Sequence, residues 1–185
     1  MTLVLAAAAC LVADVLLLSA GYKAYRPADY LDAVRSYRRL RSADPAVRSA
    51  LAVAAPVAEL ASAVLILVPA TRLAGLAAAC LVLLAFHVVV GGDDRPVIAN
   101  CGCWGRSSFG VSRRVLLTRN LALVGITVAA LAGAALADSA SRAPLPATLL
   151  AAGMVLPLAF LVLETPELAM LATLRPAHGD PEPRH

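Results

Sequence analysis

The stretch LAGLAAACLVLLAFHVVV, residues 73–90, runs for eighteen positions without an Asp, Glu, Lys or Arg. At 1.5 Å of rise per residue a helix of that length covers about 27 Å, close to the roughly 30 Å of hydrocarbon in a bilayer. It is not alone. Working outward, comparable runs extend from Ala50 to Ala70, from Val115 to Ala137 and from Thr2 to Tyr22, with a further one from Ala147 to Leu163. The last is the weakest, because Pro146 and Pro157 bracket or interrupt it and Glu164, Pro166 and Glu167 follow closely. Four firm spans and a looser fifth are therefore expected.

Composition agrees with this reading. Of 185 residues, 61% are hydrophobic and only 15% charged, and the mean hydropathy is +0.80. Soluble domains carry roughly a quarter charged residues, so this chain lacks the polar side chains to cover a water-facing surface. In lipid every backbone group must be satisfied within helices or a closed barrel. Ala and Leu dominate and no alternating pattern appears, which selects helices. The expected fold is an all-α integral membrane protein: a four-helix transmembrane bundle, a fifth span and an interfacial amphipathic helix. It forms a single transmembrane domain over residues 1–172, and the tail 173–185 is expected to be disordered, most plainly from Pro176 to His185.

The first span resembles a secretory signal in place but not in charge. No Lys or Arg precedes Lys23, and Asp14 interrupts the apolar run, so the span is expected to stay. Between the first two spans, Leu31, Val34, Tyr37 and either Leu40 or Arg41 recur at helical spacing while Asp29, Asp32, Arg35, Arg38 and Arg39 turn elsewhere. That pattern predicts a helix lying at the membrane interface, with Pro27 in its first turn. A solvated basic linker is the alternative.

Twelve of the sixteen basic residues lie in the first and third connections or their immediate flanks, between Lys23 and Arg48 and between Arg95 and Arg119. The positive-inside rule therefore puts both connections on the cytoplasmic side. The net charge of +4 then reports topology and anionic lipid headgroups. Nucleic acid is not an expected partner, and the lipid bilayer is.

Chemistry is sought where ionisable side chains sit within spans, since each costs a few kcal/mol in hydrocarbon unless paired or lining a cavity. Asp14, Glu59, His87 and Arg119 are the candidates, with Lys23 at a span end. Helical rise sets Asp14 and Glu59 roughly 12 to 14 Å, and His87 and Arg119 about 6 Å, from the side of the basic connections. A shared polar pocket is expected there, with Glu59 or Asp14 pairing Arg119 or Lys23. Separate structural pairs or snorkelling side chains are the plainer alternative.

The third connection holds Asn100-Cys101-Gly102-Cys103-Trp104-Gly105. Two thiols one Gly apart can exchange electrons with each other or grip one soft metal ion, and Gly102 and Gly105 permit the tight backbone this needs. A disulfide across one intervening residue closes a strained ring, and strained exposed bonds are the labile ones. Redox, metal and structural-turn readings all remain open on spacing alone. Cys10 and Cys80 lie within spans at similar depth and read as small apolar fillers.

Taken together, Ala20-Gly21-Tyr22-Lys23, Pro56-Val57-Ala58-Glu59, Phe86-His87, Cys101-Gly102-Cys103-Trp104-Gly105 and Arg119-Asn120 resemble the MauE family of methylamine utilisation membrane proteins. That family is distantly similar to the DoxX proteins, and the resemblance covers residues 1 to 137. Trp104 departs from it, standing where the family usually has Phe. The resemblance implies a multi-pass protein of the cell membrane, akin to thiol-oxidising membrane proteins that work with quinones. It also implies a part in maturing the disulfide-rich small subunit of methylamine dehydrogenase with a thioredoxin-like protein, or in serving other exported disulfide-containing proteins. Carried over by position, Cys101 and Cys103 become the redox pair of a thiol-disulfide oxidoreductase. Lys23, Glu59 and Arg119 become the supporting pocket, to which the resemblance adds Asn120 beside Arg119 and the charge pattern adds Asp14 and His87. No metal is assigned, and a quinone is the candidate cofactor. The alternative function is a non-enzymatic membrane scaffold or soft-metal-handling subunit. Two expectations pull apart: oxidation of exported proteins belongs outside, whereas the charge count puts the Cys pair inside.

Overall fold

The computed structural model describes residues 2–92, 113–136, 147–148 and 150–159, and every element among them is helical. In chain order these are α1 (Thr2–Tyr25), α2 (Pro27–Ser36), α3 (Arg38–Arg41), α4 (Pro45–Leu67), α5 (Arg72–Gly91), α6 (Arg113–Leu136) and α7 (Leu150–Ala159). Four of them, α1, α4, α5 and α6, are long and apolar enough to cross a membrane. They pack as a closed ring in which α1 meets α4, α4 meets α5, α5 meets α6, and α6 returns to α1.

The side chains are sorted as lipid requires. Val53, Leu81, Leu121, Val128 and Met154 face outward, while Asp14, Lys23, Glu59, Asn120 and Thr127 are buried. A soluble fold would reverse that order. Ala9, Ala13, Ala63, Ala79 and Ala130 stand in the shared core among larger residues such as Leu16, Ile66, Leu76 and Leu83, and where these small side chains meet, backbones approach closely and gain van der Waals contact. The chain is an all-α membrane protein.

The helix α4 begins and ends a few residues earlier than the Ala50 to Ala70 run suggested. At the start, Asp44 accepts a hydrogen bond from the Ala46 N–H at 2.7 Å and Pro45 occupies the first helical position. At the end, Val68 turns extended with ψ 115°, as a residue before a proline must, here Pro69. The apolar run read through that proline because Pro69 and Ala70 are themselves apolar.

The turn into α5 is tight. Thr71 Oγ1 donates to the Leu65 carbonyl at 3.0 Å and Arg72 Nε to that of Ile66 at 3.2 Å, satisfying acceptors that the end of α4 leaves open. Gly75 lets the two backbones touch: a Cβ there would stand 2.5 Å from Ile66 N and 2.7 Å from the Leu65 carbonyl carbon.

The basic segment after α1 is helical rather than a linker, and it breaks at Tyr37, whose ψ of 125° separates α2 from α3. Its buried face is Tyr30, Ala33 and Val34, of which Tyr30 and Val34 pack on Ala52 and Ala55 of α4. The fifth helix, α7, contributes Val155 and Ala159 to the core. Its described ten residues rise about 15 Å, half a bilayer. The rest of the Ala147 to Leu163 run, and the tail, lie outside the described residues.

Candidate functional site

The ring brings the C-terminal end of α1, the N-terminal end of α4, the C-terminal end of α5 and the N-terminal end of α6 to one end of the bundle. Two close approaches fix this: the Arg39 side chain of α3 lies directly against Gly92, and Leu117 of α6 against Gly91. The candidate site sits at this end.

Lys23 closes α1 in its last turn and is 3% exposed, and Glu59, midway along α4, is 6% exposed. Lys23 Nζ donates to Glu59 Oε1, forming a buried ion pair between the two helices. A charge alone in this setting would be costly, and the pair removes that cost. Tyr30 of α2 covers the ammonium, its ring centroid 5.2 Å from Lys23 Nζ, in range for a cation–π interaction. Thus the amphipathic helix does more than lie beside the bundle: it seals the lysine.

Glu59 also lines a small cavity of about 30 Å³ shared with Arg119 and Asn120 of α6, Ser19 of α1, and Leu83 and Phe86 of α5. All four ring helices contribute to it. Asn120 is anchored there, its Nδ2 donating to the Leu83 carbonyl across the α5–α6 contact at 2.9 Å. Glu59 Oε2 has no hydrogen-bond partner among the described residues, so the carboxylate keeps an acceptor in reserve. The cavity has room for one or two waters, since a water needs about 10 to 15 Å³ on this measure. A quinone ring does not fit this cavity.

Of the residues expected in one pocket, Lys23, Glu59, Arg119 and Asn120 come together. Asp14 and His87 do not line the cavity, although their neighbours Val15 and Phe86 do. The reason is azimuth: a helix turns by about 100° per residue, so equal depth does not mean a shared side. Asp14 is 4% exposed, with Oδ2 lacking a partner among the described residues. One turn before it, the buried Cys10 thiol donates to the Thr148 carbonyl at 3.6 Å, and Cys10 and Cys80 are both free thiols. His87 is half-buried, and its Nδ1 likewise has no described partner. Among the described residues no cluster of three or more His, Cys, Asp or Glu could hold a metal ion.

Cys101, Gly102, Cys103, Trp104 and Gly105 lie outside the described residues. What is described is where their segment leaves and returns, at Gly92 and Arg113, on the same end of the bundle as the Lys23–Glu59 pair. Sequence reasoning missed Tyr30 and Ser19. Tyr30 was within reach, since Tyr30, Val34 and Tyr37 fall at i, i+4 and i+7, a stripe one residue off the one built on Leu31.

Compared with known proteins, residues 1–136 match the family model described as Methylamine utilisation protein MauE. The match takes in α1 to α6 and stops before α7. Neither the curated proteins nor the solved structures give a match. The chain belongs to the MauE family and is a multi-pass membrane protein of the methylamine utilisation type.

Proposed function

We propose that this MauE-family chain is a thiol-disulfide redox module of the cell membrane, using Cys101 and Cys103 to form disulfides in partner proteins. In its oxidised form the Cys101–Cys103 disulfide is attacked by a partner thiolate, giving a mixed disulfide and one free thiol on the module. The partner's second thiolate then displaces the module, so the partner leaves oxidised and Cys101 and Cys103 remain as a dithiol carrying its two electrons and two protons. Exchange with the disulfide of a thioredoxin-like protein restores the pair and reduces that protein.

One observation carries the reading: the segment holding the two thiols is tethered at the end of the bundle where a buried Lys23–Glu59 pair, Arg119 and Asn120 converge. Two cations, Lys23 and Arg119, stand there against the one carboxylate of Glu59, a balance that supports thiolate character in a thiol that docks beside them. Glu59 Oε2 and the small cavity supply an acceptor and room for water on the proton's route from a thiol.

Trapping tests it. Cys101→Ser or Cys103→Ser should each leave one thiol able to start but not finish an exchange, so one of the two variants should accumulate a reducible covalent adduct with a partner protein. The double replacement should accumulate none. If neither single variant forms an adduct and the wild-type protein carries an ion removable by a chelator, the soft-metal reading stands instead.

A further inference from the structure

A second cavity lies at the same end of the molecule but outside the ring. It measures about 160 Å³ and sits between α2 and the first turn of α4, lined by Leu31, Val34, Arg35, Pro45, Arg48 and Ser49. On the scale of about 10 to 15 Å³ per water it is a roomy pocket rather than a packing defect. Its lining is divided. Leu31 and Val34 belong to the apolar face of α2, whereas Arg35, Arg48 and Ser49 bring two guanidinium groups and a hydroxyl.

The charges around it do not close on themselves. Arg35 is held by Asp32 one turn away, Nη1 to Oδ1 at 3.3 Å, with both groups largely exposed. Asp44 Oδ1, at the start of α4, accepts from the Ala46 N–H. Arg48 has no such partner: its Nε is buried and lacks an acceptor among the described residues. A buried guanidinium N–H without an acceptor is costly enough to mark a place where an acceptor belongs.

Location narrows what that acceptor is. The helix α4 has 23 residues and rises about 34 Å, so its first turn stands where the helix leaves the hydrocarbon. Arginine recognises the oxygens of a phosphate by parallel N–H donors, and a phosphate held at this depth has its acyl chains beside the apolar outer surface of α4, where Val53, Val57 and Leu60 are exposed. We propose that this cavity binds the phosphate group of an anionic phospholipid, with Arg48 as the principal contact and Arg35 and Ser49 beside it. Bound there, the lipid bridges α2 to α4 and steadies the helix that carries Tyr30 over Lys23.

Native mass spectrometry of the full chain in detergent, with phosphatidylglycerol or phosphatidylcholine added, tests the proposal. Phosphatidylglycerol should bind in preference to phosphatidylcholine, and Arg48→Gln should weaken it by about tenfold or more, as loss of a charge-assisted hydrogen bond does. Arg48→Lys, which keeps the charge and guards against a folding defect, should retain part of the preference. Arg41→Gln, outside the cavity, should leave it unchanged. Millimolar inorganic phosphate should not displace the lipid. Displacement by phosphate would make this a site for a soluble anion and overturn the lipid assignment. Equal binding of both lipids, or full binding to Arg48→Gln, would overturn the site itself.

Discussion

The two ends of the bundle treat their polar groups in opposite ways. At the end holding Arg72, Thr71 and Arg72 close gaps in the scaffold: Thr71 reaches the Leu65 carbonyl, and Arg72 reaches the Ile66 carbonyl and, at 2.9 Å, Thr148 Oγ1. Backbone there is packed to contact at Gly75. At the other end a lysine is spent on a glutamate under a tyrosine, a cavity separates the helices, and a carboxylate oxygen is left without a described partner. Hydrogen bonds that finish helix ends are what stability alone requires. Charges buried against charges are weak contributors to stability, and a reserve acceptor beside a cavity contributes none, so the second end is built at a cost that function explains.

The largest test of that contrast is Glu59→Gln. Removing the carboxylate strands the Lys23 ammonium in a buried site, which should cost on the order of 3 to 5 kcal/mol in a thermal or denaturant melt of the detergent-solubilised protein. Combining it with Lys23→Met should recover a good part of the loss, because no buried charge is then left alone. Additive losses in that cycle would mean the two side chains are not coupled, and the ion pair would drop out of the account.

At the closed end the corresponding change is Gly75→Ala. Its new methyl meets backbone atoms of Leu65 and Ile66 that cannot swing aside, so overpacking should cost about 1 to 3 kcal/mol in the same melt. Adduct formation by the Cys101→Ser and Cys103→Ser variants should survive this change. If Gly75→Ala abolished adducts while the protein stayed folded, the division between a scaffold end and a working end would be wrong.

Much of the fold could be read from residues because lipid imposes a simple rule, about twenty apolar positions per crossing, and four runs meet it. The α4 boundaries slipped because proline and alanine count as apolar, while Asp44 and Pro69 act on backbone geometry rather than hydropathy. The site was legible in part for the same reason: a glutamate inside a span demands a cation, which narrowed Glu59 to Lys23 or Arg119. Choosing Lys23, and separating Asp14 and His87 from the cavity, needed the rotation of each helix about its axis, which the spacing of charges within near-uniformly apolar runs does not encode. The spacing of Tyr30, Val34 and Tyr37 made the buried stripe of α2 readable, but that Tyr30 covers Lys23 depends on α2 folding back over the end of α1, a tertiary contact.

The central claim is that Cys101 and Cys103 cycle as one unit. Purified protein with Cys10 and Cys80 replaced by Ala should be equilibrated with reduced and oxidised glutathione, then treated with an alkylating reagent and weighed intact. The account predicts two populations only, one with both remaining thiols alkylated and one with neither, interconverting reversibly as the glutathione ratio changes. Two alkylated thiols at every ratio, or stable glutathione adducts on each cysteine without an internal bond, would contradict it.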